Sequence, residues 1–246
     1  MQPHSAVFEG VAGEVVRRFC RAQKPEVGAH YLEVLDGVAG YCGAGSPLSV
    51  VKGMTAPLQA EHYEQIEDFY FSKGLNATLE LGPWADTKTL KHRGYEFVAE
   101  ENLLQQSATD GGLDPSFCTD REAWATILCR SFMGEVSEEG MELGRILFSI
   151  DDVENFGVEQ AEQWVAGGVL VRVGKVALFA GDGTLPEFRG RGFQGALIRG
   201  RMRRAVQLGC ELMHCEVAPD SGSERNYLRC GFEKAYSRTH FTKRFR

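Results

Sequence analysis

Residues 176–209 read VALFAGDGTLPEFRGRGFQGALIRGRMRRAVQLG and predict a strand, a glycine-rich loop and a helix in succession. The apolar opening suits a buried strand, which ends near Leu185 because the proline that follows cannot donate to a strand ladder. An amphipathic helix begins near Gly192 or Phe193 and ends before Gly209, since glycine is a usual residue just past a helix end. The stretch therefore predicts an α/β unit.

The loop between this strand and helix has the features of an anion-binding site. Its backbone N–H groups have no helical partners and point along the helix axis, where the helix dipole favours negative charge. Glycines allow a ligand to approach the backbone closely, and arginines add charge and several donors. No acidic residue stands between Glu187 and Glu211, although the whole chain has a formal net charge of −7. The glycines are Gly190, Gly192 and Gly195, and Arg189 and Arg191 are the arginines that flank them.

One interpretation of this loop is a dinucleotide-binding fingerprint. GRGFQG, residues 190–195, fits G-x-G-x-x-G, and Glu211 and Glu216 stand near the place of a ribose-binding acid. That fingerprint requires a strand that runs directly into the first glycine, whereas residues 186–189 intervene here. Too few residues follow the helix for the further β-α units that such a fold needs. A nicotinamide or flavin enzyme is therefore the weaker interpretation.

A second interpretation rests on a family resemblance. RGRGFQGAL, residues 189–197, resembles the R/Q-x-x-G-x-G/A signature of GNAT acetyltransferases, and TLPEF before it looks like the end of their fourth strand. Downstream, ELMHCEV and NYLRCGFE, within residues 211–233, resemble the fifth strand and the segment usually seen as L-Y-x-x-x-G-F. The resemblance covers residues 118–246, and Gln194 departs from it where the family prefers Gly or Ala.

The resemblance implies an acetyl-CoA-dependent N-acetyltransferase, in which a primary amine of a small molecule or a peptide attacks the thioester directly. Acetyl-CoA, as co-substrate, would lie between the splayed ends of the fourth and fifth strands. Its pyrophosphate would be held by Arg189, Gly190, Arg191, Gly192, Gln194 and Gly195. The main chain at Gly183, Thr184 and Leu185 would pair with the pantetheine arm and polarise the thioester. Tyr227 lies four residues before Gly231, the place of a family tyrosine that protonates the leaving thiolate.

A base must also take a proton from the ammonium group of the substrate. The sequence offers Asp182, His214 and Glu216 and does not choose among them. His214 and Glu216 project from the same side of the predicted strand. Ser221 and Glu224 match a capping box, which favours a helix start over a catalytic role.

The other arginines of the predicted helix could approach the 3′-phosphate of CoA. Because they lie on several faces of the helix, however, most of them are expected in solvent. They are Arg199, Arg201, Arg203 and Arg204. No aromatic residues are interleaved among them and the chain is acidic overall, so nucleic acid is not an expected partner.

The cysteines and the composition indicate a folded cytoplasmic protein. The seven cysteines are odd in number and scattered, which favours reduced thiols. Cys210, His214 and Cys215 are close together, but structural zinc needs four converging ligands and Cys230 is a distant fourth, so no metal is expected. No window approaches the ~18 apolar residues of a membrane span, and the start MQPHSAVFEG lacks a basic region followed by an apolar one. The sequence leaves open whether the chain forms a homodimer.

An internal repeat predicts the domain organisation. The polar segment SATDGGLDPSFCTD resembles a linker and places a boundary near residue 115. Both sides show the order helix, strand, short helix, Gly-aromatic turn and strand, with 20 residues from Gly74 to Gly94 and 22 from Gly209 to Gly231. This agreement favours duplication of one α/β unit.

We therefore predict an α/β (α+β) protein of two GNAT-like units, each a mixed, mostly antiparallel sheet flanked by helices. Residues 1–115 would form a degenerate unit without a cofactor loop, and residues 116–246 would form the acetyltransferase unit. YCGAGSPLSVV, residues 41–51, has no basic residue until Lys52 and is interpreted as a turn between strands. The alternative function is a catalytically silent acyl-CoA-binding or regulatory module, which keeps the loop but lacks an acceptor site.

Overall fold

A computed structural model describes residues 4–246 of the chain. Its helices are α1 (Ser5–Ala22), α2 (Ala60–Phe71), α3 (Thr87–His92), α4 (Arg121–Met133), α5 (Glu138–Leu147), α6 (Phe193–Gln207) and α7 (Gly222–Arg229). Its strands are β1 (His30–Val34), β2 (Gly37–Tyr41), β3 (Val51–Lys52), β4 (Ala77–Leu81), β5 (Glu96–Ser107), β6 (Val153–Gln160), β7 (Gln163–Val173), β8 (Val176–Thr184), β9 (Leu212–Val217) and β10 (Glu233–Lys243). The order predicted for both halves is present as α2, β4, α3, β5 and as α6, β9, α7, β10. No helix within residues 4–246 is both long and apolar enough to cross a membrane.

The described chain divides into two compact units, and the division differs from the boundary predicted near residue 115. The first unit is formed by residues up to Asn102 together with Ala235–Arg246, and the second is Leu103–Lys234. The polar segment around residue 115 does not behave as a free linker, because Cys118 is buried and its N–H donates to the Asn155 carbonyl at 2.9 Å. The last strand belongs mainly to the first unit because β10 pairs with β4 there.

The sheet of the first unit runs in the order β1, β2, β3, β4, β10 and the first part of β5. Its β1–β2, β2–β3 and β4–β10 pairs are antiparallel, whereas β3 and β4 are parallel through Val51 and Leu79. Successive turns of α2 present Tyr63, Ile66 and Tyr70 to this sheet, and all three are buried in one apolar cluster with Leu79. The amphipathic helix and the sheet thus make the core of the unit.

The sheet of the second unit runs in the order β5, β9, β8, β7, β6. The β6–β7 and β7–β8 pairs are antiparallel, and β8 and β9 are parallel, with their pairing ending at Phe179 and Cys215. Apolar side chains of α6, including Leu197 and Ile198, cover this sheet. Each unit is therefore a mixed, mostly antiparallel sheet with helices, which confirms the predicted fold class.

Charged side chains are packed together within the sheet of the first unit. Ligand-type atoms of Glu80, Glu101 and His240 all lie within 4.8 Å of one another. Lys52 pairs with Glu80 at 2.5 Å and Arg238 with Glu101 at 2.8 Å, so the carboxylates already have cationic partners. Burial alone would lower the pKa of His240, but the Glu101 carboxylate, 3.6 Å from its Nε2, and the charge of Glu80 raise that pKa overall.

His240 should therefore stabilise the folded protein in a pH-dependent way. Its folded pKa lies above the unfolded value of about 6.5, so the contribution is fully present below that pH and is lost as the pH rises through the folded pKa. We expect the H240Q variant to be less stable than the wild type mainly at about pH 5 to 6.5 and to approach it at higher pH. Urea unfolding of both proteins across this range measures the difference, and a gap that does not change with pH would contradict it.

Candidate active site

A cavity of about 680 Å³ opens in the second unit where β8 is followed by α6. It lies where β8 and β9 have stopped pairing, so the strand edges are open to a ligand. Its walls come from the end of β8, the glycine loop, the first turn of α6 and the start of α7. Among the lining residues are Asp182, Thr184, Arg189, Gly192, Gln194 and Asn226.

The glycine loop presents free amides to this cavity. Gly190 and Gly192 adopt left-handed backbone conformations with φ of 76° and 84°, which side chains disfavour. Gly192 is the N-cap of α6 and has no side chain to cap the helix, and the Ala196 N–H is the first to bond back, to the Gly192 carbonyl at 3.1 Å. The N–H groups of the three preceding residues therefore have no helical acceptor. A helix start with free N–H groups of this kind has the geometry of an anion-binding site.

The two arginines of the loop are fixed by main-chain carbonyls. Arg189 donates from Nε to the Thr184 carbonyl at 3.2 Å and from Nη2 to the Ser131 carbonyl at 3.0 Å. Arg191 donates from Nη2 to the Glu187 carbonyl at 3.2 Å. Neutral acceptors orient both guanidinium groups and leave their charge uncompensated, so the cavity is basic beside the free amides.

Of the three residues at the end of β8 whose main chain the resemblance places on pantetheine, only Thr184 lines the cavity. The Leu185 N–H donates to the Val165 carbonyl at 2.9 Å, and the Leu185 side chain is buried, so its predicted role toward pantetheine is wrong. Because N–H groups alternate along a strand, Thr184 turns its own toward the side where β9 diverges. Thr184 lines the cavity, whereas Gly183 is buried beneath it.

A bulge in β8 places Asp182 at the cavity wall. The β7–β8 register shifts between Gly167 and Val169, so that Gly181 and Asp182 lie opposite Gly168 alone. Such an extra residue bends a strand and re-aims its side chains. The Asp182 side chain is only 8% exposed, yet it lines the cavity.

Behind this wall, Asp182, Arg201 and Tyr227 form a buried hydrogen-bonded group. Arg201 Nη2 lies 2.5 Å from Asp182 Oδ1, and the Tyr227 hydroxyl donates to Asp182 Oδ2 at 2.6 Å. Arg201 Nη2 also donates to the Tyr227 hydroxyl at 3.3 Å. Burial raises the pKa of Tyr227 well above its usual value, and the Asp182 charge adds to this although Arg201 opposes it. Tyr227 therefore stays protonated at neutral pH.

Comparison with known proteins identifies the fold through solved structures. No protein-family model matches the sequence, and no curated protein matches it. A GCN5-related N-acetyltransferase from Kribbella flavida matches with a TM-score of 0.68 and 17% identity over 97% of this chain and 95% of that one. A second GCN5-related N-acetyltransferase, from Sphaerobacter thermophilus, matches with a TM-score of 0.54 and 14% identity over 70% of this chain and 60% of that one. A tandem GNAT protein from the clavulanic acid biosynthesis pathway matches with a TM-score of 0.54 and 12% identity over 85% of this chain and 73% of that one. The chain has the GNAT fold.

The departure from the GNAT signature at Gln194 has a structural role. Its side chain does not enter the glycine loop but bridges α6 to α7, donating to Ser223 Oγ at 2.8 Å and accepting from Asn226 Nδ2 at 2.7 Å. Gln194 Nε2 also lies 3.3 Å from Asp182 Oδ2. The longer side chain is thus held away from the amides, which stay accessible as in a loop with Gly or Ala.

Other candidates from the sequence lie elsewhere in this GNAT fold. His214 is buried and Glu216 half-buried on β9, and neither lines the cavity. Cys210 and Cys215 are part of the apolar core, and the only group of potential metal ligands within residues 4–246 lies in the first unit. Ser221 caps α7, accepting from the Glu224 N–H at 3.0 Å, as the capping pattern predicts.

The helix arginines are less solvated than predicted. Arg203 pairs with Asp110 at 3.0 Å, and Arg204 pairs with Glu154 at 2.6 Å. Arg201 is completely buried, which the sequence interpretation missed. The signal was available, because Leu197, Arg201 and Ala205 are four residues apart and therefore share one face of α6.

Because Gly168 has no side chain, there is room beside it for the buried group of Asp182, Arg201 and Tyr227. A Cβ at this position would lie 2.5 Å from Asp182 Oδ1 and 3.0 Å from Arg201 Nη1. We expect Gly168→Ala to cost about 1–3 kcal/mol of stability, because a fixed ion pair must shift. Gly10→Ala, at an exposed position of α1 with nothing within 4 Å of the new Cβ, should be neutral or slightly stabilising. Chemical denaturation of both variants measures this, and equal stabilities would contradict the prediction.

Proposed function

We propose that this chain transfers an acetyl group from acetyl-CoA to a primary amine in the cavity of the second unit. The observation that supports this most is the uncapped start of α6, with free amides and two uncompensated arginines beside an open groove. A diphosphate fits such a group of donors through charge-assisted hydrogen bonds. The GNAT fold agrees with acyl transfer from a CoA thioester.

The cavity suggests how the reacting groups are brought together. The amides of α6, with Arg189 and Arg191, would bind the pyrophosphate, and the Thr184 main chain would pair with the pantetheine arm along the open edge of β8. Both substrates would then be held at once, so the amine attacks the thioester carbonyl without a covalent enzyme intermediate. The C–N bond forms and the C–S bond breaks. The nitrogen loses one proton and the thiolate gains one, so the products are the N-acetyl amine and the CoA thiol.

We further propose that the first unit is a degenerate copy without a CoA site. Its helix α2, the counterpart of α6, begins with a reciprocal cap, in which the Gln59 side chain accepts from the backbone and the Gln59 N–H donates to His62 at 3.0 Å. The loop before it is closed by Trp84, whose Nε1–H donates to the Met54 carbonyl at 2.9 Å, and Met54 is fully buried. Capped amides and a filled loop leave no place for a diphosphate.

Binding experiments test whether the chain binds acetyl-CoA and CoA rather than NAD. Acetyl-CoA and CoA at 100 times their dissociation constants should raise the thermal midpoint by several degrees, since this saturation adds about 2.7 kcal/mol, whereas NAD should not. Isothermal titration calorimetry should give one site per chain. A shift with NAD alone would favour a dinucleotide enzyme, and two CoA sites would contradict the degenerate first unit.

Turnover separates the transferase from a silent acyl-CoA-binding module, which is the second candidate function. We expect the release of CoA thiol from acetyl-CoA to depend on an added amine, tested with spermidine, kanamycin, lysine and a tetrapeptide with a free N-terminus. The N-acetyl product is then identified by mass spectrometry. Tight binding of acetyl-CoA without amine-dependent release would favour the silent module. A cytoplasmic place of action stays a prediction from the sequence.

A further inference from the structure

We infer that Arg201 and Tyr227 are positioning residues, which hold the Asp182 carboxylate at the cavity wall where the amine reacts. This inference rests on the proposed function. It assigns a role to Arg201, one of four helix arginines of which most were expected in solvent. It also gives Tyr227 a role other than the thiolate-protonating one that the family resemblance implies.

The position of Arg201 is determined on every side. Its Nε donates to the Leu197 carbonyl at 3.2 Å and its Nη1 donates to the Val169 carbonyl at 2.9 Å. Its guanidinium carbon lies 4.8 Å from the centre of the Phe179 ring. The remaining nitrogen, Nη2, is thereby directed at Asp182 and Tyr227. A fully buried cation with fixed donors gives the Asp182 carboxylate one orientation.

The hydroxyl proton of Tyr227 forms a hydrogen bond to Asp182. The hydroxyl donates to Asp182 Oδ2 at 2.6 Å and accepts from Arg201, and Tyr227 is not among the residues that line the cavity. A hydroxyl has a single proton to donate. In this arrangement Tyr227 cannot also donate to a sulfur atom in the cavity, so it acts on the reaction through Asp182.

Asp182 is the member of this group that faces the substrate. Among the cavity-lining residues of the described chain, it is the one acidic side chain. A nitrogen that attacks a thioester gains positive charge as the new bond forms, and a carboxylate held nearby stabilises that charge without reorganising. On the cavity side, Gln194 fixes the carboxylate further through the hydrogen bond to Oδ2. The carboxylate is therefore oriented before the substrate arrives.

A double-mutant cycle tests whether Tyr227 acts through Asp182. With the fastest amine of the four above, Y227F should lower kcat about tenfold and leave the KM for acetyl-CoA nearly unchanged. In a D182N background, Y227F should lower kcat by less than about twofold, because the group it positions is already gone. R201K should retain more activity than R201M, since lysine keeps the charge. Rates are measured well below the thermal midpoint of the least stable variant.

The outcomes distinguish this inference from the proposed function. If Y227F lowers kcat equally in both backgrounds, Tyr227 acts independently of Asp182 and the inference is wrong. Full activity of R201M would also overturn it. An active wild type with non-additive variants supports both proposals, whereas a wild type that binds acetyl-CoA but acetylates none of the four amines contradicts the proposed function and this role with it. R203M, which removes a partly exposed cation of the same helix, should keep wild-type activity.

Discussion

Gly192→Val should weaken the binding of acetyl-CoA about tenfold to a hundredfold. Gly192 has a φ of 84°, a conformation that β-branched residues almost never adopt, so the valine backbone must rotate away from it. The amides that follow then no longer converge on the cavity. One lost hydrogen bond to a charged phosphate is worth about 1.5–3 kcal/mol, which corresponds to this loss of affinity. Calorimetric titration with acetyl-CoA measures it.

The opposite end of the same helix provides the matched control. Gly209 has a φ of 73°, and no atom lies within 4 Å of a Cβ built there, so Gly209→Val has comparable backbone strain without steric contact. It does not line the cavity. We expect similar destabilisation of both variants but an unchanged dissociation constant for Gly209→Val. If both variants lose affinity equally, the loss comes from general destabilisation and not from the loop.

The strand, loop and helix of residues 176–209 were predictable because local chemistry determines them. A proline after the strand and glycines at the two ends of the helix act within a few residues, and the observed β8 and α6 end where these signals place them. The alternation of side chains between the two faces of β9 was also predictable from local sequence. As expected for one face, Met213, Cys215 and Val217 all form part of the core. Wherever neighbours in sequence decide the conformation, the prediction and the structure agree.

The placement of the last strand could not be predicted in this way. β10 pairs with β4 in the register Phe241 with Leu79, a partnership between residues 162 positions apart that no local pattern specifies. The segment before α4 likewise looked like a linker, because its Gly, Asp and Pro content is typical of one. Its packing depends on Cys118 and on an ion pair from Asp114 to Arg203, which are tertiary contacts.

In the candidate site, too, the contacts that depend on tertiary structure could not be predicted from the sequence. The free amides of the loop follow from the glycines, but the partners of Tyr227 depend on a bulge in β8 and on a buried arginine from another element. The prediction that Leu185 binds pantetheine is wrong because its N–H donates to the Val165 carbonyl, a pairing that depends on the register of β7. Sequence reasoning thus located the cavity but not the hydrogen-bonding pattern behind its wall.

Arg201→Met should destabilise the second unit by about 3–5 kcal/mol, because it leaves the Asp182 carboxylate buried without its cation. The Arg201 side chain is 0% exposed and that of Asp182 is 8% exposed, so water cannot compensate for the loss. The double variant R201M/D182N should recover part of this stability, since the uncompensated charge is gone.

The control is Arg203→Met on the same helix. The Arg203 side chain is 28% exposed and its partner Asp110 is 55% exposed, so this change should cost at most about 1 kcal/mol. Chemical denaturation at neutral pH compares all three variants with the wild type. If R201M and R203M cost the same, or if D182N restores nothing, then Arg201 and Asp182 do not form the buried ion pair from which the arrangement of the cavity wall is argued.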